Sequence, residues 1–197
     1  MNLRLPSSAI DAVPTEMETP FLEQFELILA ATVLAYYDEL TGLGNSRAKN
    51  ETILKEMDRA SRSGSGLCVI VADLNGLKRI NDLKGHRSGD TLIRRAAAAI
   101  KRSVRSYDTA CRTGGDEFVV ILPNSDKDNA DTVAARISSN CSRKGVSISV
   151  GTASIAELGK RRLKAASAAL RLEHLADKRM YADKRKRAGT APKQKGY

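Results

Sequence analysis

The sequence predicts an α/β domain in which helices cover a mixed, mostly antiparallel β-sheet. Three observations lead to this prediction. Short apolar runs of strand length alternate with segments whose apolar residues recur at helical spacing. Two of the runs are joined by a Gly-Gly dipeptide, which is typical of a β-hairpin. The other runs are separated by helical segments long enough for crossovers, so both kinds of connection are expected.

The individual elements follow from the same patterns. Asn45 or Ser46 can cap a helix, because a side-chain oxygen there accepts a hydrogen bond from the first turn. The run "LCVIVAD" is continuously apolar and ends in an acid, which is typical of a strand buried on both faces. The predicted elements are helices at 20–37, 46–60, 90–104, 129–138 and 164–186, a short helix and loop at 75–90, and strands at 67–73, 109–113, 117–122 and 146–154.

Composition limits the number of domains and the class of partner. At 197 residues and 42% hydrophobic, the chain suffices for one core and a short appendage. Aromatic residues make up 4% and tryptophan is absent, which disfavours a protein that stacks single-stranded nucleic acid on aromatic rings. The three cysteines lack the spacing of a metal site and are expected to be buried free thiols. No signal peptide or membrane span is predicted, so we expect a cytoplasmic protein.

Charge is distributed unevenly along the chain, whose net charge is +10. Residues 1–40 contain one basic and seven acidic residues, whereas residues 160–197 contain thirteen basic and three acidic residues. A basic C-terminal end suits an anionic partner such as nucleotide phosphates, nucleic acid or an acidic membrane surface. The alternative is a solvated basic tail without a ligand, and charge alone does not choose between them.

Three acidic residues are predicted to meet at one edge of the sheet. Asp73 ends one strand, and Asp116 and Glu117 follow the Gly114–Gly115 turn of the hairpin. Carboxylates that repel one another are tolerated side by side when divalent cations lie among them, and Mg²⁺ prefers such oxygen ligands. Glycines leave their backbone amides open to a polyphosphate. The pattern therefore indicates a metal and phosphate site, and a solvated hairpin is the alternative.

The chain contains, in order, the segments "DELTGLGN", "DLNGLKRINDLKGHRSGD", "RTGGDEF", "SISVG" and "ADKRMYADK". From Asp38 to about Lys184 it thereby resembles the GGDEF domain of diguanylate cyclases, bacterial enzymes that condense two GTP molecules into cyclic di-GMP. The resemblance implies a palm-like sheet similar to that of nucleotidyl cyclases. It also implies an organisation with a helical segment at 1–37, the GGDEF domain at 38–187 and a disordered basic tail at 188–197.

The resemblance implies a role for each acidic residue. Asp73, the backbone carbonyl of Leu74, Asp116 and Glu117 match the ligands of two Mg²⁺ ions, for which Mn²⁺ can substitute. Asp116 also matches the acid that takes the proton from the attacking 3′-hydroxyl group. Two cations beside the α-phosphate would lower the pKa of that hydroxyl group and neutralise the charge of the transition state.

The resemblance also implies a GTP pocket. Lys78 and Lys184 match residues that place positive charge at the phosphates. Asn81 and Asp90 match the residues that read guanine, and His86 lies in the same loop. Relatives that make adenine-containing products carry a small residue in place of this acid, so Asp90 indicates GTP. From the residues alone other roles stay open, namely a helix-start acid for Asp90, a turn for Asn81 and a solvated lysine for Lys78.

Arg105 and Asp108 indicate a second site. Five residues separate this pair from Gly114, which is the spacing of the family's product-inhibition site. An arginine can donate two hydrogen bonds to the Hoogsteen edge of guanine, and an aspartate can accept bonds from its donor edge. The resemblance therefore implies feedback inhibition by cyclic di-GMP. A surface salt bridge without a ligand is the alternative.

The chain departs from the family pattern at both ends of the site. Asn75 and Leu77 stand where an acid and a phenylalanine are usual, which leaves Asp73 in place. Near the C-terminal end the usual phosphate-binding arginine is displaced to Arg187 or absent, and no closing strand is evident. The sequence therefore leaves open which residues contact phosphate at the C-terminal end of the domain.

Three functional classes result. Each cyclase site holds one GTP and the bond forms between two, so an enzyme requires a homodimer. The helix at 20–37 either supplies the dimer contact or packs on its own domain. The alternatives are a non-catalytic receptor for cyclic di-GMP or GTP and a basic nucleic-acid-binding protein. The intact Asp116 and Glu117 favour the enzyme, for which GTP and cyclic di-GMP, and no nucleic acid, are the expected partners.

Overall fold

The structure is a computed structural model that describes residues 15–159 and 164–190. The chain separates into two compact units, Met1–Ala35 and Tyr36–Tyr197. The elements are α1 (Thr15–Tyr36), α2 (Ser46–Ser63), β1 (Leu67–Leu74), α3 (Leu77–Lys84), α4 (His86–Arg102), β2 (Thr109–Arg112), β3 (Glu117–Pro123), α5 (Lys127–Ser142), β4 (Ile148–Ser154), a 3₁₀ helix (Ile155–Leu158) and α6 (Ala165–Thr190).

The four strands form one sheet in the order β2-β3-β1-β4, and every neighbouring pair is antiparallel. β2 and β3 form the predicted hairpin. β1 is central and all eight of its residues are buried, as its uninterrupted apolar sequence predicts. α3 and α4 connect β1 to β2, and α5 connects β3 to β4. A parallel bridge between Gly44 and Cys111 extends the β2 edge. The predicted combination of hairpin, crossovers and covering helices is therefore confirmed.

Each face of the sheet has its own apolar cluster. Residues of β1 alternate between the two clusters, because successive side chains of a strand point to opposite faces. Ala72 belongs to the cluster on the α4 and α5 face, and Val71 to the one on the α2 and α6 face. Asp73 therefore faces α2 and α6. The first cluster includes Ile70, Ile100, Phe118 and Ile137, and the second includes Met57, Val69, Ile121 and Leu172.

α6 lies directly on β4. A Cβ atom at Gly151 would collide with the backbone of α6 at Ala176, so the missing side chain allows this close approach. Further along the helix, the Asp183 Oδ2 atom accepts a hydrogen bond from the backbone amide of Val150 at 3.2 Å. These contacts fix the position of Lys184 relative to the sheet.

Two helices begin at least one helical turn earlier than the sequence predicts. α1 begins at Thr15 and not at Pro20, where the acidic residues of 15–19 favour a helix N-terminus through its exposed amides. α4 begins at His86, within the predicted loop, and not at Asp90. Gly85, with φ of 78° and ψ of 163°, joins α3 to α4 through a single residue, which is why no loop remains.

The last helix is longer than predicted. α6 continues to Thr190, beyond the predicted end at residue 186 and into the segment predicted as a tail from residue 188. Its last turns contain Lys, Arg and Ala residues, which favour helix. The rest of the predicted tail, 191–197, lies outside the described residues. None of the helices in the described ranges has the length and apolar character needed to cross a membrane.

Candidate active site

The end of β1 and the start of β3 bring the predicted acids together. Asp73 pairs with Glu117 in the register of the two strands, so the two side chains share one face of the sheet. The backbone amide of Leu74 donates to the carbonyl of Asp116 at 2.9 Å. The hairpin is closed by a bond from the Thr113 amide to the carbonyl of Glu117 at 3.0 Å. The three acids are therefore adjacent at one edge of the sheet.

Asp73 is the most buried acid of this group, with a side chain that is 9% exposed. Its Oδ1 atom accepts a hydrogen bond from Lys184 Nζ at 2.6 Å. Burial raises the pKa of Asp73, the bond from Lys184 opposes that rise, and the charges of Asp116 and Asp177 add to it. The site thus holds a carboxylate that requires a nearby positive charge.

Lys184 supplies that charge in this structure. The hydrogen bond to Asp73 raises the pKa of Lys184, and the negative charges of Asp73, Asp116 and Glu117 raise it further. Within the described ranges, no three His, Cys, Asp or Glu side chains converge closely enough to hold a metal ion by themselves. A cation at these acids would therefore need further ligands from a bound molecule or from water.

The two glycines of the hairpin differ in their surroundings. A Cβ atom at Gly114 would lie 3.0 Å from Oε2 of Glu117, so the Glu117 carboxylate packs against this backbone. A Cβ atom at Gly115 would have no neighbour within 4 Å, so that backbone faces open space. A cleft of about 400 Å³ beside the hairpin is lined by Glu117, Lys49 and residues of α6. A phosphate group could thus approach the turn.

Arg112 and Asp38 also hold the hairpin, a role that sequence reasoning missed. Arg112 Nη1 donates to both carboxylate oxygens of Asp38, at 3.2 and 3.1 Å, and Arg112 Nη2 donates to the carbonyl of Gly115 at 2.9 Å. Asp38 in turn accepts a bond from the amide of Thr41 at 3.0 Å. Both residues lie in the segments that carry the family resemblance, and that position could have indicated a role at the site.

Asn81 has a buried hydrogen-bond acceptor, its side-chain oxygen Oδ1, without a partner in the described residues. A Cβ atom at Gly89 would collide with this oxygen, so Gly89 makes room for it. Because a buried polar atom without a partner costs free energy, the unpaired acceptor indicates that something else can bind there.

Asp90 is half-buried on α4, one residue beyond Gly89. It is the fifth residue of the helix, so the alternative role as a helix-start acid is wrong. The remaining predicted residues, Lys78 and His86, are exposed near the first residues of α3 and α4. The structure therefore brings Asn81 next to the residue that precedes Asp90, whereas Lys78 and His86 face solvent.

Arg105 and Asp108 lie in the turn between α4 and β2. Asp108 Oδ2 accepts a bond from the backbone amide of Arg105 at 2.8 Å, and Arg105 Nη1 donates to the hydroxyl group of Tyr107 at 2.7 Å. The predicted alternative of a side-chain salt bridge between them is not found in the described residues. Asp108 Oδ1 is buried and lacks a partner in that same part of the chain.

The residues that depart from the family pattern have partners of their own. The side-chain amide of Asn75 donates to the hydroxyl groups of Ser147 and Ser149, at 3.2 and 3.0 Å. Arg187 Nε donates to Asp183 Oδ2 at 2.8 Å, one helical turn earlier on α6. Asn75 thus joins β1 to β4 where the family usually has an acid.

Comparisons with known proteins identify the family of this chain. The family described as "Diguanylate cyclase, GGDEF domain" matches residues 35–190. Diguanylate cyclase DgcS of Shewanella oneidensis is 42% identical over 88 residues, which are 45% of this chain and 30% of that protein. Cyclic di-GMP phosphodiesterase NbdA of Pseudomonas aeruginosa is 38% identical over 104 residues, which are 53% of this chain and 13% of that protein. The match therefore spans less than a third of either relative.

A solved structure gives the same result for the fold. The coiled coil and GGDEF domain of DgcB from Caulobacter crescentus, in complex with c-di-GMP, has a TM-score of 0.75 at 25% identity. The alignment covers 86% of this chain and 91% of that chain. The predicted palm-like fold is therefore confirmed. Because the family match extends over more than half of the sequence, this chain belongs to the GGDEF domain family of diguanylate cyclases.

Proposed function

We propose that the chain is a cytoplasmic diguanylate cyclase that condenses two GTP molecules into cyclic di-GMP and releases pyrophosphate. The observation that carries the proposal is the buried carboxylate of Asp73, which lies beside Asp116 and Glu117 and is bonded by Lys184 at 2.6 Å. A binding module has no need for a desolvated carboxylate beside two more acids, whereas phosphoryl transfer requires a concentrated cation site.

The donor set fits divalent metal. Asp73, the carbonyl of Leu74, Asp116 and Glu117 offer only hard oxygen ligands, which suits Mg²⁺ and also Mn²⁺. Since no three carboxylates of the described residues converge, phosphate oxygens and water would complete the coordination. When bound, two such ions neutralise charge at the α-phosphate and acidify the 3′-hydroxyl group.

The chain's own residues then divide the remaining tasks. Asp116 accepts the proton of the attacking 3′-hydroxyl group as general base. Lys184 neutralises the phosphates together with Lys78, whose exposure lets it reach a ligand at the N-terminal end of α3. The open backbone at Gly115 leaves room for the triphosphate. No side chain of the protein has to form a covalent bond with the substrate.

Guanine selectivity is assigned to α3 and α4. The unpaired Oδ1 atom of Asn81 can accept a bond from a guanine donor, and the carboxylate of Asp90 can accept bonds from N1–H and N2–H₂. Adenine offers no such pair of donors. His86, at the start of α4, is assigned to hold the nucleotide from the solvent side.

Catalysis requires two sites facing each other, so the active form is proposed to be a homodimer. α1 supports this proposal. Its described side chains include four large apolar residues that are more than half exposed, which an isolated helix would expose to water at a cost. These residues are Phe25, Leu27, Ile28 and Leu34.

Product inhibition is proposed at Arg105 and Asp108. The buried Asp108 Oδ1 atom has no partner in the described residues, and the exposed guanidinium group of Arg105 can exchange its bond to the Tyr107 hydroxyl group for bonds to guanine. Arg105→Ala should raise the product accumulated late in a reaction several-fold while leaving the initial rate unchanged. A progress curve followed by chromatography measures this, and identical late product in both proteins would contradict the assignment.

The cyclase proposal itself is tested by incubating the purified chain with GTP and Mg²⁺ and separating cyclic di-GMP and pyrophosphate by chromatography. Asp116→Asn should lower the rate by about 10²- to 10⁴-fold, as expected for loss of a general base. Asp58→Asn, an exposed acid on α2, is the matched control and should retain the rate. Equal turnover by the wild-type chain and Asp116→Asn would overturn the role of Asp116.

A second candidate is a receptor that binds cyclic di-GMP or GTP without turnover. The Asp108 Oδ1 atom, which has no partner in the described residues, favours it, because binding of cyclic di-GMP at Arg105 and Asp108 requires no turnover. Binding of labelled cyclic di-GMP that is lost in Arg105→Ala, together with no product from GTP, would support this candidate over the enzyme.

A further inference from the structure

We infer that Lys184 is the internal counter-ion of the metal site: its ammonium group occupies Asp73 and prevents a divalent cation from binding there until GTP draws the lysine away. The inference rests on the proposed function, since that proposal assigns Asp73 to the metal. It adds an order of binding, in which the divalent cation binds to Asp73 together with GTP and not before it.

The side chains of Lys184 and Asp73 lie close together but differ in their exposure to solvent. Lys184 Nζ lies 2.6 Å from Asp73 Oδ1. The Asp73 side chain is 9% exposed, whereas the Lys184 side chain is 39% exposed. The carboxylate is therefore confined, and the lysine has solvent beside it into which its four-carbon stem can rotate. Any exchange of partners at this site moves the lysine.

The charge balance makes this exchange necessary. Asp73, Asp116 and Glu117 adjoin one another at the sheet edge, and the bond from Lys184 is made to the most buried of them. An ammonium group at hydrogen-bond distance from a carboxylate repels a divalent cation that approaches the same oxygens. The triphosphate of GTP offers Lys184 an alternative anion and offers the cation additional oxygens.

The helix that carries Lys184 is held against β4 by two hydrogen bonds. Asp183 accepts a bond from the Val150 amide at 3.2 Å, and Arg179 Nη1 donates to the carbonyl of Thr152 at 2.8 Å. The exchange is therefore a rotation of one side chain and requires no movement of α6. Binding of metal and binding of GTP should then strengthen each other by the same factor.

The test is a calorimetric titration of the full chain with Mn²⁺ in the absence of nucleotide. Lys184→Gln should bind Mn²⁺ about tenfold more tightly than the wild-type chain, because the competing charge is gone. Lys184→Met, which retains the apolar stem, should behave in the same way. Lys178→Gln, which removes an exposed charge from the same helix, should leave the affinity unchanged.

Two further measurements separate this role from a general loss of structure. Asp73→Asn combined with Lys184→Gln should abolish the gain in Mn²⁺ affinity, and metal-free binding of GTP should be several-fold weaker in Lys184→Gln. A distorted site would have a lower affinity for both Mn²⁺ and GTP. If the inferred exchange exists, Lys184→Gln raises the affinity for Mn²⁺ and lowers the affinity for GTP.

The outcomes are distinct from those of the cyclase assay. Equal or weaker Mn²⁺ binding by both Lys184 variants overturns the inference, as does a gain that persists after Asp73→Asn. If the Mn²⁺ gain is found and no cyclic di-GMP forms, Lys184 is still the counter-ion and the cyclase proposal fails. If product forms and the gain is absent, the cyclase stands and the counter-ion role fails.

Discussion

Two charged clusters contact α6, and they are built on opposite principles. In the first cluster, Asp73 is desolvated and next to further acids, and its pKa is raised. In the second cluster, Glu157 Oε1 accepts a bond from Arg179 Nη2 at 2.6 Å, and this hydrogen bond lowers the pKa of Glu157. An acid whose charge is already paired within the fold contributes to stability. An acid whose charge the fold disfavours is a candidate for binding a ligand.

The second cluster extends across four elements. Burial opposes ionisation of Asp131, but bonds from Lys127 at 2.5 Å and from Thr152 lower the pKa of this residue. Arg179 also donates to the carbonyl of Thr152 at 2.8 Å. The cluster joins α5, β4, the 3₁₀ helix and α6, so its role is to stabilise the fold.

The largest effect is expected from a substitution that disrupts the first cluster. Asp73→Asn should lower cyclase activity by about 10²-fold or more, because the buried cation ligand is lost. It should not lower the free energy of unfolding, since the fold disfavours the charge that is removed. Product formation from GTP and urea denaturation measure the two quantities. A marked loss of stability in this variant would contradict the contrast between the clusters.

A smaller effect of the opposite kind is expected at Arg179. Arg179→Ala should lower the free energy of unfolding by about 1 kcal/mol, a modest value because its side chain is 39% exposed and water screens the pair with Glu157. The initial rate with saturating GTP should change less than twofold. Urea denaturation and the same chromatographic assay test this, and a rate loss without a stability loss would place Arg179 in the site instead.

The smallest effect concerns pH. The folded-state pKa of Glu157 lies below its ordinary value of 4.5 because of the bond from Arg179. Its contribution to stability is therefore complete above about pH 4.5 and is lost as the pH falls through the folded-state pKa. Glu157→Gln should lose less stability than the wild-type chain between about pH 6 and pH 3, by a few tenths of a kcal/mol. Urea midpoints at several pH values measure it, and parallel curves would exclude the assigned contribution.

Local patterns predicted most of the fold. The apolar run of β1, the glycines of the hairpin and the spacing of the helices each depend on neighbouring residues, and all were found in the structure. Boundaries were less predictable. The start of α4 at His86 depends on a positive φ at Gly85, which the surrounding sequence does not reveal.

The sequence predicted that Asp73, Asp116 and Glu117 meet at the sheet edge, but it did not predict the contacts that these and neighbouring residues make. Family resemblance selected Asp73 and Lys184 for different ligands, a metal and a phosphate, whereas the structure joins them directly across 111 positions of sequence. Asp38 and Arg112, which are 74 positions apart, were not expected to pair. Such contacts depend on how α6 and the hairpin pack on the sheet, and no local pattern contains that information.

The close contact at Gly151 limits which residues this position can accept. Gly151 carries no functional group and pairs with Val71, two positions from Asp73 along β1. A single added methyl group there would push α6 off the strand, and the amine of Lys184 would move with it. The absence of a side chain at Gly151 is thus as necessary to the geometry of the site as the charged residues at the sheet edge.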